Sequence, residues 1–227
     1  MILAMILAHL VGDFILQTDR IAAWKSQTLK GVFIHGLIVF AVTAAFALPF
    51  PPFWWEGVIF ISIAHTVIDG AQFLRRPHLT PVVRFFLDQF LHFMVIFAAL
   101  GFGGYLAGVE KPTELSQLQV SLLYAVGYAF VTMPTWVLLK FVGYWLLERS
   151  APVFPDAFNK YAGIVERILI VTFVLTGQFL LVPLLAIPRV ILERRNLAEN
   201  DRRPLYLFET LGGIALAIGV GLLLRQI

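Results

Sequence analysis

Long apolar runs, separated by short polar or proline-rich breaks, fill most of the chain. A helical membrane span needs about 20 apolar residues. Seven runs follow that pattern: 2–18, 31–48, 57–74, 82–106, 118–147, 166–187 and 205–224. The breaks carry turn chemistry. They are Asp19 to Lys30, LPFPPFWWE (48–56), RRPHLTP (75–81), Glu110 to Ser116, RSAPVFPDAFNK (149–160) and PRVILERRNLAENDRRP (188–204). The pattern predicts an all-α integral membrane protein with about seven transmembrane or partly re-entrant helices in one bundle. Residues 1–107 are expected to form a four-helix membrane unit. Residues 108–227 are expected to add about three further helices to the same bundle, as one domain. Met1 leads straight into MILAMILAHLVGDFILQT with no basic segment before it, so the first run is expected to stay in place as a span.

Composition supports that class. Of 227 residues, 59% are hydrophobic and 14% charged, against roughly 25% charged in an average soluble domain. Mean hydropathy is +0.85. A water-soluble chain of this size cannot hide so much apolar surface. Intrinsic disorder, a cysteine-stapled scaffold and a nucleic-acid partner are excluded on the same grounds; the expected partner is the lipid bilayer. The absence of cysteine removes thiolate ligands and thiol nucleophiles. Net charge is +3, which in a membrane protein reflects basic cytoplasmic connections.

The basic residues predict an orientation. Arg20, Lys25 and Lys30 lie after the first run, and Arg75, Arg76 and Arg84 lie at the break after the third. The intervening connections hold only Lys111. This asymmetry places the N-terminus outside. The second half fits less well, because Arg189, Arg194, Arg195, Arg202 and Arg203 fall in a connection that seven full spans would put outside. Either the sixth run is re-entrant or the count differs by one.

Four of the five histidines and three of the six aspartates lie inside apolar runs. Each intramembrane aspartate costs roughly 2.5–3.5 kcal/mol on insertion scales. The spacing gives a reason to bear that cost. His9 precedes Asp13 by four residues, His65 precedes Asp69 by four, and Asp88 precedes His92 by four. Residues four apart share a helix face. In an antiparallel hairpin of the third and fourth runs, the pairs Asp69/Asp88 and His65/His92 have the same midpoint, 78.5, so each pair can lie level. His35 adds a fourth imidazole from the second run.

Imidazole and carboxylate suit Zn, Mn or Fe(II). The candidate metal ligands are therefore His9, Asp13, His35, His65, Asp69, Asp88 and His92. Asp13, Asp69 and Asp88 are the candidate catalytic carboxylates. Arg84, one turn before Asp88, can hold a substrate phosphate, and Gln17 extends the His9–Asp13 face as a second substrate contact. The expected chemistry is metal-dependent hydrolysis or transfer on a lipid-like or phosphorylated amphiphile from the cytoplasmic leaflet. Two alternatives stay open: a transporter or proton/ion relay through the His/Asp pairs, and a structural subunit ligating a tetrapyrrole. Each histidine can also simply pair with its own aspartate. In the second half, Lys140 is expected to snorkel, Glu166–Arg167 to form an interfacial pair, and Glu209 to complement a helix dipole.

The opening AHLVGDFILQ, with the later AHTVID, LDQFLH, AGIVERILIV and LYLFETLGG, resembles a prokaryotic multi-pass membrane family known as domain-of-unknown-function family 3307. The resemblance implies an integral protein of the inner (plasma) membrane and no particular activity. A weaker likeness is to membrane-bound metal-dependent hydrolases, whose Asp-x-Asp-His cluster this sequence lacks.

Overall fold

The first apolar run folds as helix α1 (Ile2–Leu10), which loosens into a π-turn at Val11–Ile15. There the Leu16 amide bonds the Val11 carbonyl at 2.8 Å. A computed structural model describes residues 1–50, 52–73, 79–106, 115–154, 157–187 and 203–227, and no strand occurs among them. The chain divides into two compact units, Met1–Val126 and Gly127–Ile227.

In the first unit, Thr18 caps a helix that the sequence reading treats as a loop, α2 (Asp19–Gln27). The Ile21 amide donates to the Thr18 hydroxyl. Helix α2 bends away from α1 and its π-turn by 85°. Thr28 ends α2 and caps α3 (Leu29–Ala47), accepting from the Gly31 amide at 3.0 Å. Gly31 is required there, since a Cβ would lie 2.5 Å from the Trp24 carbonyl. Helices α4 (Trp55–Gly70) and α5 (Pro81–Phe102) complete the unit, α5 opening on a proline in its first turn where no amide is needed. Below the polar residues, Met5, Ala47, Val58, Ile61, Ile96 and Leu100 pack into an apolar core drawn from α1, α3, α4 and α5.

The second unit takes up the last residues of α6 (Gln117–Val131) and continues through α7 (Met133–Gly143), with a terminal π-turn at Tyr144–Glu148. The expected run 118–147 is therefore a pair of helices bent by 41°, with Pro134 in the first turn after the break. The expected run 166–187 is also divided. Helix α8 (Ala157–Leu175) begins nine residues earlier and ends at Gly177, whose φ of +75° no β-carbon residue adopts easily. A short helix, α9 (181–187), and α10 (Arg203–Leu224) follow. Helices α8 and α10 run side by side in the same direction, Arg167 meeting Gly213 and Val174 meeting Gly221.

Each of the seven apolar runs thus has a helical counterpart in an all-α membrane bundle. By length and composition, three described helices can cross a membrane alone: α3, α5 and α10. Counting each bent pair as one span gives five. Helix α4, at 16 residues, rises only about 24 Å. Arg75, Arg76, His78, Lys111 and the arginines of 188–202 lie outside the described residues.

Candidate metal centre

The π-turn sets the position of Asp13. In a regular α-helix it would sit above His9; the wider turn swings its carboxylate toward α3, where Oδ1 lies 3.1 Å from His35 Nε2. Helix α3 comes close to α4 because Gly36 packs on Thr66, where a Cβ would clash with the hydroxyl. That approach puts His35 Nε2 3.2 Å from His65 Nε2. Asp69, one turn along α4 from His65, closes the group. Its Oδ2 lies 3.5 Å from His35 Nε2 and 3.4 Å from His65 Nε2, while His65 Nε2 is 3.7 Å from Asp13 Oδ1. All four residues are at most 5% exposed. This buried Asp/His/His/Asp group can bind a metal ion.

Helix α5 adds a second set around the other oxygen of Asp13. Gln89 donates through Nε2 to Asp13 Oδ2 at 3.2 Å and to Asp88 Oδ2 at 3.1 Å. Its Oε1 is then the acceptor for His9 Nε2 at 3.1 Å, so His9 carries its proton on Nε2. His92 donates from Nδ1 to the Asp88 carbonyl at 2.8 Å, and its Nε2 is buried without a hydrogen-bond partner. Asp13, Asp88 and His92 form a second group whose donor atoms lie within 4.8 Å of one another. The Asp88 side chain is 39% exposed and forms the open edge of the site.

Helix α2 supplies the cation. Lys25 Nζ donates to both oxygens of Asp69, at 3.0 and 3.1 Å, and to Asp13 Oδ1 at 3.4 Å. Its side chain is 14% exposed. Sequence reasoning counted Lys25 only as a topological charge and passed over Gln89. The signal for Lys25 was the Thr18–Asp19 cap and the Thr28 stop, which together mark a helix rather than a loop.

The other expected site residues fall as follows. The rings of His65 and His92 meet with centroids 4.0 Å apart, and His9 stacks on His92 at 5.5 Å. His9 belongs to neither ligand group. Asp69 and Asp88 stand in separate groups that share Asp13, since Lys25 draws Asp69 to the α2 side. Arg84 is exposed, and Gln17 lies in the turn before α2 with its Oε1 buried and unpartnered. The cavity beside His9, His65 and His92 measures about 10 Å³. That is about the roughly 10–15 Å³ one water needs, far too little for a tetrapyrrole.

Fold and site together define an all-α membrane protein with a buried His/Asp cluster built by its N-terminal helices. Residues 1–111, which contain the whole cluster, match the family model described as "Protein of unknown function (DUF3307)". The AGIVERILIV and LYLFETLGG stretches lie beyond the matched residues. No curated protein and no solved structure matches the chain.

Proposed function

We propose that the protein is an intramembrane metal centre in which Asp13, His35, His65 and Asp69 hold one divalent cation. The observation that carries this reading is the set of donor separations. Five of the six are 3.1, 3.2, 3.4, 3.5 and 3.7 Å. A tetrahedral zinc ion with bonds of about 2.0–2.2 Å spaces its ligands by about 3.3–3.6 Å. Each imidazole Nε2 carries at most one proton, so two of them cannot bridge all five separations. Charge supports the same reading. Asp13, Asp69 and Asp88 against Lys25 leave −2 with neutral histidines, which one divalent ion balances.

A bound cation would supply Lewis acidity toward a phosphoryl or acyl oxygen. The chain's own residues fit hydrolysis or transfer on a lipid-like or phosphorylated amphiphile. Asp88 offers a half-exposed carboxylate for proton transfer, Arg84 an exposed guanidinium for a phosphate, and Lys25 a hold on Asp69 that can free a coordination position. The basic residues near α2 and α5 support placing this edge at the cytoplasmic face of a prokaryotic inner membrane, with the N-terminus outside.

A second reading, a proton or ion relay, is favoured by one feature: Asp13, His35 and His65 stand in a buried chain of titratable groups, with steps of 3.1 and 3.2 Å. Metal content separates the two. Full-length protein purified in mild detergent is expected to retain close to one Zn, Mn or Fe per chain, and the Asp13→Asn, Asp69→Asn double variant is expected to lose it. Folded wild-type protein that holds no metal and takes up none from a zinc buffer would leave the relay.

A further inference from the structure

A bound metal ion gains ligand atoms in two ways: a carboxylate turns to bind through both oxygens, or water adds. Both ways are restricted at the Asp13/His35/His65/Asp69 group, and two residues outside the group impose much of the restriction. Gln89 holds the second oxygen of Asp13. Asp13 Oδ1 faces the imidazoles, 3.1 Å from His35 Nε2 and 3.7 Å from His65 Nε2. Its Oδ2 instead accepts from Gln89 Nε2 at 3.2 Å. The same nitrogen donates to Asp88 Oδ2 at 3.1 Å, and Gln89 Oε1 accepts from His9 Nε2 at 3.1 Å. These three partners fix the amide, because turning it over would set its carbonyl oxygen against two carboxylates.

Lys25 does the same for Asp69. Asp69 Oδ2 is the oxygen nearest the imidazoles, 3.5 Å from His35 Nε2 and 3.4 Å from His65 Nε2. Lys25 Nζ donates to Oδ1 at 3.0 Å as well as to Oδ2 at 3.1 Å. A carboxylate held in this way offers one oxygen to an ion, and offering both means giving up a charge-assisted hydrogen bond. Water is restricted by space. The four ligand residues are at most 5% exposed, and the cavity beside His65 measures about 10 Å³, room for one water at most.

We propose, resting on the metal reading, that Gln89 and Lys25 are positioning residues that hold the centre to two imidazole nitrogens and two single carboxylate oxygens. The site is thereby built for a tetrahedral ion, zinc, and against manganese, which favours six oxygen-rich positions. Where Asp69 is drawn fully onto Lys25, a substrate oxygen takes its place and the centre stays four-coordinate.

Zinc binds more tightly than manganese at most sites of this kind, so the test reads geometry and its dependence on Gln89. Full-length protein in mild detergent is stripped with a chelator and loaded with cobalt(II), whose visible bands are intense in a four-coordinate site and weak in a six-coordinate one. Wild type is expected to bind close to one cobalt per chain with intense bands. Gln89→Leu, which releases Asp13 Oδ2, is expected to bind cobalt with clearly weaker bands. It should also lower the ratio of the manganese Kd to the zinc Kd roughly tenfold, the size of one lost hydrogen bond to a charged group. Lys25→Met, which releases Asp69 Oδ1, should move both readouts in the same direction. Weak bands in wild type overturn the proposal and leave the metal reading standing. An unchanged spectrum or an unchanged ratio in Gln89→Leu does the same. Folded wild-type protein that binds no cobalt, zinc or manganese overturns both. The wild-type spectrum needs no variant, so the proposal stays open to refutation even if Gln89→Leu does not fold.

Discussion

Replacing Lys25 by Met removes the one cation that α2 brings to the carboxylates while keeping the length of its side chain. At an effective dielectric of about 20, unit charges at its 3.0 and 3.4 Å contacts with Asp69 and Asp13 attract by roughly 5.5 and 4.9 kcal/mol. Desolvating the ammonium offsets several kcal/mol of that total. The remainder falls in the range of about 3–5 kcal/mol seen when one partner of a buried ion pair is deleted. For a chain of this size that is a fall in Tm of roughly 6–20 °C. The assay is thermal unfolding of the detergent-solubilised protein, first with a chelator and then with excess zinc. With the chelator, Lys25→Met is expected to melt well below wild type. Zinc is expected to recover part of the difference, about 2.7 kcal/mol at a hundredfold excess over Kd. The gain should be larger in the variant than in wild type, because the variant's site carries one more uncompensated negative charge. Chelated Lys25→Met melting with wild type would refute the counter-ion role. A zinc shift larger in wild type than in the variant would refute the charge argument.

Gly36→Ala is expected to lower stability by about 1–3 kcal/mol through overpacking against Thr66 and to reduce metal retention by parting His35 from His65; Gly70→Ala, with nothing within 4 Å of the new Cβ, should leave metal content unchanged. Both are read by unfolding melts paired with metal analysis. Arg84→Gln, at an exposed position, is expected to fold and to keep its metal while losing turnover or binding of a phosphorylated amphiphile. A large drop in Tm would instead make Arg84 a structural counter-charge.

The apolar runs were legible because burial in lipid leaves a length signal that survives soft boundaries: α3, α5 and α10 begin and end within a few residues of the expected runs. The pairing of His65 with His92 was legible too, since hairpin register follows from symmetric spacing about the turn. Other features carry no such signature. Nothing in VGDFI announces a π-turn, yet that turn moves Asp13 from its own helix face to His35. The broken runs 118–147 and 166–187 were only half legible. Pro134 and Gly177 mark where a helix must change, but not whether it bends or stops.

Lys25 shows why the charge of the site was the hardest part to read. Counting basic residues treats each as solvated, and for orientation that is adequate: without Lys25 the first half still has Arg20, Lys30, Arg75, Arg76 and Arg84 against Lys111. The count says nothing of where a flexible four-carbon stem can reach. Helix α2 has no fully buried residue and no apolar run, so its sequence reads as surface. Its 85° bend from the first helix nevertheless lays it across the end of the bundle, with the Lys25 ammonium within 3.4 Å of two intramembrane carboxylates. Spacing within spans therefore predicts which ligands share a layer. The counter-charge that makes the layer tolerable arrives from a connecting segment, and only tertiary geometry reveals it.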